Sequence, residues 1–164
     1  MERFRDFGGK VGEVGFFFRE GAVGLCTPSY YQGLELDSLK KELESYLRPT
    51  TIEYATVSTI VNERFAITFG QTIVGELSVM DGGVISFWRN PKFANRGITS
   101  KATKILVENY KQYKQLRAFV LPNNLASAKA LRNNGFICLG VSSERFYVDG
   151  EWQEHEEFVY TIES

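Results

Sequence analysis

The spacing of apolar and polar residues divides the chain into blocks, and each block predicts an element. From residue 51 onward, β-branched and aromatic residues recur over Tyr54 to Ile60, Arg64 to Phe69 and Thr72 to Met80, with Gly70-Gln71 and Asp81-Gly82-Gly83 as turns. A fourth run, Val84 to Trp88, stops at Asn90-Pro91, where proline removes a backbone donor. These four predict an antiparallel meander. The period then changes: Ile98, Ala102, Ile105 and Leu106 form one apolar stripe, which predicts a helix over 98 to 113 with Thr99 or Ser100 capping its first turn. Leu116 to Leu121 reads as a strand beyond it. A helix that joins two strands of one sheet makes a right-handed parallel crossover, so the strands at 84 to 89 and 116 to 121 are expected to lie parallel.

A second helix is predicted from Asn124 to Asn133, with Asn124 and Ser127 at its start and Gly135 as a left-handed exit. Phe136 to Tyr147 and Glu151 to Ile162 then form a closing hairpin across Asp149-Gly150, a dipeptide suited to a type I′ turn. Nearer the start, Leu36, Leu39, Leu43 and Leu47 fall at helical spacing, which predicts a helix over 37 to 47 between Asp37 or Ser38 and Pro49. Val14 to Phe18 and Ala22 to Cys26 pair around Glu20-Gly21 in a segment dense in glycine.

Composition narrows the class. A chain of 164 residues suits one domain with its own core, 1 to 164. Its net charge of −1 argues against a general nucleic-acid binder. Cys26 and Cys138 stand far apart with one histidine in the chain, so neither a disulfide framework nor a metal site is indicated. The first residues lack a signal-peptide core and no apolar run approaches membrane length, so a cytoplasmic protein without a membrane partner is expected.

Charge is distributed unevenly. Between Arg89 and Arg117 there are eight basic residues against Glu108 alone, while from residue 143 onward there are seven acidic residues against Arg145. The loop Ala94-Asn95-Arg96-Gly97-Ile98-Thr99-Ser100 lies in the basic stretch and opens a helix, where unpaired amides and the positive dipole end favour phosphate. A solvated basic face on an ordinary helix start has the same residues. The acidic end blunts an exposed sheet edge, or attracts a cationic amine.

Three segments in this order carry a family resemblance: the loop Ala94-Asn95-Arg96-Gly97-Ile98-Thr99; Leu121-Pro122-Asn123-Asn124-Leu125-Ala126-Ser127 with Leu131 and Asn134-Gly135-Phe136; and Val148-Asp149-Gly150-Glu151-Trp152-Gln153-Glu154-His155. Over residues 65 to 162 the chain resembles the GNAT N-acetyltransferase superfamily, in its branch of ribosomal-protein N-terminal acetyltransferases. The resemblance implies an α/β fold with a mixed, mostly antiparallel central sheet, flanking helices and a splayed parallel strand pair. It also implies acetyl-CoA as cosubstrate and no metal. Residues 51 to 164 would form the cofactor-binding core, and residues 1 to 50 the acceptor side.

The same resemblance assigns roles. Ala94 to Ser100 would hold the pyrophosphate, the backbone of Phe87, Trp88 and Arg89 the pantetheine arm, and the Asn124 side chain a pantetheine amide. Ser127 would protonate or stabilise the departing thiolate, although as a cap it needs no catalytic role. Glu76, His155 and Glu144 are candidates to take the proton of the amine. Phe87 and Trp88 serve equally as core side chains. The sequence departs from the family pattern at Ala94 and Thr99 in the loop, and at Val84 and Phe87, where relatives often carry a glutamate and an aromatic hydroxyl. Two classes follow: an acetyltransferase acting on a protein N-terminus, a polyamine or an amine-bearing small molecule, or a binding module that keeps the fold without the chemistry. A homodimer stays open; nucleic acid is not expected as a partner.

Overall fold

The computed structural model describes residues 2–4, 17–26, 30–43 and 52–162. Its strands are β1 (Glu2–Phe4), β2 (Phe17–Glu20), β3 (Val23–Cys26), β4 (Ile52–Ala55), β5 (Val61–Phe69), β6 (Thr72–Met80), β7 (Val84–Arg89), β8 (Gln115–Val120), β9 (Ile137–Val141), β10 (Phe146–Val148), β11 (Glu151–Gln153) and β12 (Glu156–Thr161). Its helices are α1 (Tyr30–Glu42), α2 (Ile98–Asn109) and α3 (Leu125–Asn133). Nine strands form one sheet in the order β1-β2-β3-β5-β6-β7-β8-β12-β9, and β11-β10-β4 form a second, smaller one. Among the described residues, every ladder is antiparallel except β7 with β8. The mixed, mostly antiparallel α/β sheet with one parallel pair is the one expected.

Alternation sorts side chains onto two faces. On one, Phe65, Ile67, Leu77, Ile85, Leu116 and Phe158 are buried against Ile98, Ile105 and Leu106 of α2. On the other, Cys26 and Ala66 pack with Leu36 of α1. Burial also raises the Cys26 thiol to about 12, so it stays protonated and inert.

Four expectations change. The helix expected over 37 to 47 runs from Tyr30 to Glu42, so Asp37 lies inside it and its carboxylate accepts from Arg64 Nη2 at 2.8 Å. That tertiary ion pair uses the group read as a start signal; Leu47 and Pro49 lie outside the described residues, as do Val14 to Phe16. The strand expected over 54 to 60 is only Ile52–Ala55 and leaves the meander to pair with β10. It is held there by Thr56 N–H donating to Arg145 O at 3.0 Å and by Arg145 N–H donating to Thr56 Oγ1 at 2.9 Å.

Helix α2 is headed by Gly97 in the left-handed region (φ 68°), not by Thr99 or Ser100, and ends at Asn109. Thr99 is spent inside the helix, its carbonyl accepting from Thr103 Oγ1 at 2.8 Å. The closing hairpin is split: β9 and β12 pair in the large sheet, while β10 and β11 turn across Asp149-Gly150, both with positive φ (51° and 82°), into the small one. The I′ dipeptide is where it was read; the pairing on either side of it is decided by β4.

Candidate active site

Strands β7 and β8 meet at one ladder position, Val84 opposite Arg117, where Arg117 N–H donates to Gly83 O at 2.9 Å. From there they diverge. The gap is a cleft of about 290 Å³ lined by Val84 to Phe87, Ala118 to Leu121, Asn124 and Ser127 of the α3 start, and Phe146, Val148, Gln153 and His155. Gly83 makes the junction feasible: its φ is 84°, and a Cβ there would lie 2.5 Å from Gln115 O.

The ladder on the other side of β7 fixes which backbone groups are free. Asn90 N–H donates to Val74 O at 2.7 Å, so by the two-residue alternation of an antiparallel pair Trp88 is bonded to Glu76, whereas Phe87 and Arg89 turn their N–H and C=O away from β6 toward the gap. The expected trio is therefore divided: Phe87 lines the cleft, Arg89 shares its backbone phase, and the Trp88 backbone pairs with β6. The Trp88 indole is also engaged, donating to Glu76 Oε1 at 2.7 Å.

Glu76 lies away from the cleft. It is 6 % exposed, accepts from Arg64 Nε as well as from Trp88, and lies outside the cleft lining. On the α1 face its carboxylate is engaged by a guanidinium and an indole, apart from His155, Asn124 and Ser127. Glu144 is likewise engaged, accepting from Thr56 Oγ1 and from Arg117 Nη2. No carboxylate lines the cleft among the described residues.

The titratable side chain that does line it is His155. Its ring packs on Phe146 at 4.6 Å, its Nδ1 is buried without a hydrogen-bond partner, and burial lowers its pKa against the opposing effect of a hydrogen bond to the Gln153 backbone. The imidazole is therefore neutral at neutral pH. Asn124 caps α3, its Oδ1 accepting from Ser127 N–H at 3.2 Å, so the cap expected of either residue belongs to Asn124. That leaves the Asn124 amide nitrogen and the Ser127 hydroxyl free for a ligand. Gln153, Phe146 and Val148 were not singled out from sequence. Gln153 ends β11 and His155 follows it in the link to β12, and both line the cleft.

Strand β7 runs into a loop with a helical turn at Pro91–Phe93, then Ala94 to Gly97, all exposed, then α2. Asn95 and Gly97 both have positive φ (62° and 68°), and the amides of residues 95 to 100 find no partner among the described residues. Successive free amides at a helix start form an anion cradle. The Arg96 guanidinium is held beside it over the rings of Phe93 and Phe69, at 5.5 and 5.7 Å.

No protein-family profile and no curated protein sequence matches the chain. Solved structures match it in fold. RimL, a ribosomal-protein α-N-acetyltransferase in complex with coenzyme A, shares 16 % identity over 89 % of this chain and 98 % of its own, with a TM-score of 0.73. A ribosomal-protein alanine acetyltransferase from Vibrio fischeri shares 13 % over 90 % and 97 %, with a TM-score of 0.74. RimJ of Mycobacterium smegmatis, in complex with a CoA disulfide, shares 19 % over 85 % and 81 %, with a TM-score of 0.66. The fold is that of the GNAT acetyltransferases.

Proposed function

We propose that this chain, carrying a GNAT fold, binds acetyl-CoA along β7 and transfers its acetyl group to a primary amine of a protein N-terminus, a polyamine or a small molecule. One observation carries the reading: the β7–β8 gap, with the free backbone of Phe87 and Arg89 on its wall, leads along one strand to the amide cradle that heads α2. An extended amide-bearing arm that ends in a pyrophosphate has this complementarity. The neighbours solved with coenzyme A bound support it.

The residues take the following parts. Amides 95 to 100 and Arg96 bind the diphosphate; Phe87, Arg89 and the Asn124 amide bond the arm and place the thioester at the base of the gap. Neutral His155 accepts a proton from the amine, directly or through water, as the nitrogen attacks the thioester carbonyl carbon. As the carbon–sulfur bond breaks, the Ser127 hydroxyl donates a hydrogen bond or its proton to the sulfur and recovers it from solvent. The products are an amide and a free thiol. Gln153 and Phe146 flank His155 where the acceptor enters.

Thermal unfolding with and without acetyl-CoA tests the reading. A ligand at about a hundredfold its dissociation constant stabilises the native state by about 2.7 kcal/mol. Gly97→Asp, which sets a carboxylate in the cradle, and Asn124→Ala should abolish the upward shift while leaving the chain folded. Amine panels with thiol detection then identify the acceptor. A second reading, a fold-retaining binding module, is favoured by the absence of a carboxylate from the cleft lining; it predicts acetyl-CoA stabilisation with no thiol release on any amine. A chain that millimolar acetyl-CoA leaves unshifted defeats both the cofactor assignment and the enzyme.

A further inference from the structure

The cleft passes through the large sheet, and side-chain alternation sorts its lining onto the two faces. Ile85, Phe87, Ala118 and Val120 lie on the α2 side, with Asn124 and Ser127 of the α3 start. Val84 is opposite Arg117, so Val84 and Phe119 lie on the other side, where Phe146 and Val148 of β10 meet them. This second side forms a wall of its own. Phe146 packs at 5.2 Å on Phe119 and at 4.6 Å on His155, and Met80, the cross-strand partner of Val84, lines the same end.

The polar groups on this side are neutral. They are the Ser86 hydroxyl, the Gln153 amide and the His155 imidazole, whose Nδ1 is buried without a hydrogen-bond partner. Neither a carboxylate nor a cation lines the cleft among the described residues, and Arg117 is paired with Glu157 and Glu144 outside the lining. Burying an ammonium without a paired carboxylate is costly. Neutral imidazole is also a poor base for an alkylammonium: with ordinary pKa values of about 10.4 and about 6.5, the proton moves uphill by roughly four powers of ten. Burial of His155 adds to that deficit. An acceptor that arrives uncharged avoids both penalties. Size sets a second limit. The whole cleft, about 290 Å³, stands at the lower end of the ~300–1,000 Å³ of small-molecule sites and must also receive the end of the arm, which leaves space for a small acceptor.

We infer that the acceptor is a weakly basic aromatic amine of a single ring, seated with its ring against Phe119, Phe146 and Val84 and its nitrogen at His155. This rests on the acetyl-transfer reading above and narrows its acceptor. Delocalisation of the nitrogen lone pair into the ring keeps such an amine unprotonated at neutral pH, and its ring gains tilted or offset contacts with the phenylalanines. Polyamines, which carry several ammonium groups, find no counter-charge on this wall. In the transfer the nitrogen forms a bond to the thioester carbonyl carbon, and the carbon–sulfur bond breaks with its electron pair on sulfur. The proton shed by nitrogen passes to His155 and from there, through solvent, to the thiolate. The products are an aryl amide and a free thiol.

Titration of p-toluidine into the isotope-labelled full chain, read by amide NMR shifts, tests the pocket without acetyl-CoA. Benzylamine, a ring of similar size on a protonated amine, is the control. Saturable shifts are expected at Phe146, Val148, Gln153 and His155 with p-toluidine, and binding at least about tenfold weaker with benzylamine. With acetyl-CoA present, thiol release should favour p-toluidine over benzylamine and spermidine. Val84→Glu, which sets a carboxylate in the wall, should reverse the preference between the two ring amines. Phe146→Leu, which removes a ring and keeps an apolar side chain, should weaken p-toluidine about two- to tenfold. Stabilisation by acetyl-CoA, measured on the same samples, separates the two claims. If it is present while p-toluidine fails, the acceptor assignment falls and the cofactor reading stands; if it is absent while the shifts saturate, the amine pocket stands and the transfer reading falls. The inference is overturned by a lack of saturation at millimolar amine, by shifts outside the cleft, by benzylamine binding equally well, by binding that survives both variants, or by a peptide α-amine consumed faster than p-toluidine.

Discussion

At the scale of single residues, the candidate site combines groups whose neighbours leave them unengaged. Asn124 takes the cap of α3, which releases the Ser127 hydroxyl; we expect Ser127→Ala to lower kcat by about a hundredfold while acetyl-CoA binding by calorimetry stays unchanged. His155 is set by burial. Its pKa is lowered from 6.5, so below that pH the unfolded chain binds a proton that the folded chain refuses, and stability falls as pH drops through that window. Chemical denaturation from pH 7.5 to 5 should show this decline, and His155→Gln should flatten it. If His155 also accepts the amine proton, the acid limb of kcat/KM has its midpoint below 6.5 and disappears in the same variant.

At the scale of elements, the cleft exists because β7 and β8 are joined at one end only. Two features hold that end. Gly83 permits the close approach to Gln115, so Gly83→Val should cost about 1–3 kcal/mol in denaturant unfolding and should weaken acetyl-CoA binding by closing or shifting the gap. Arg117, half-buried, donates to Glu157 Oε2 at 2.8 Å and to Glu144 Oε1 at 3.4 Å, and thereby ties β8 to β12 and to the loop that enters β10. Both neighbours hold its pKa above the ordinary arginine value, so it stays charged at any working pH. Arg117→Met leaves two carboxylates without their cation. Hydrogen exchange should then quicken in β10, β11 and β4 before it does in β5 and β6, and uniform exchange across both sheets would contradict this division.

At the scale of the molecule, the proposed function divides between the two sheets. Under that proposal the large sheet would carry the cofactor half, with β7, the loop and α2 in sequence. The small sheet lines the cleft with Phe146, Val148 and Gln153, and His155 follows in the link from β11 to β12. No helix among the described residues is long and apolar enough to cross a membrane, and no cluster of metal-ligating side chains occurs among them. Ligand binding to the cofactor half should thus stabilise the whole chain, whereas substitutions in the small sheet should alter acceptor use while preserving that stabilisation.

The elements that the sequence determined are those whose period and punctuation are local. Strands β6, β7 and β8 with the helix between them, the parallel pairing, the Asn124 start and the Asp149-Gly150 turn follow from side-chain alternation, from a stripe at helical spacing and from residues with restricted φ. The cleft side chains were only partly legible, because a carboxylate's role depends on what surrounds it. Glu76 reads as a base until Arg64 and Trp88 enclose it, and Trp88 reads as a cofactor-facing residue until the ladder phase turns its backbone toward β6. Tertiary structure alone decided that β4 leaves the meander, that the last hairpin divides between two sheets, and that Tyr54, Tyr147 and Trp152 meet across the three strands of the small one. Each of these depends on which distant strand supplies the hydrogen bonds, and a strand's own sequence specifies that it needs a partner without specifying which partner it finds.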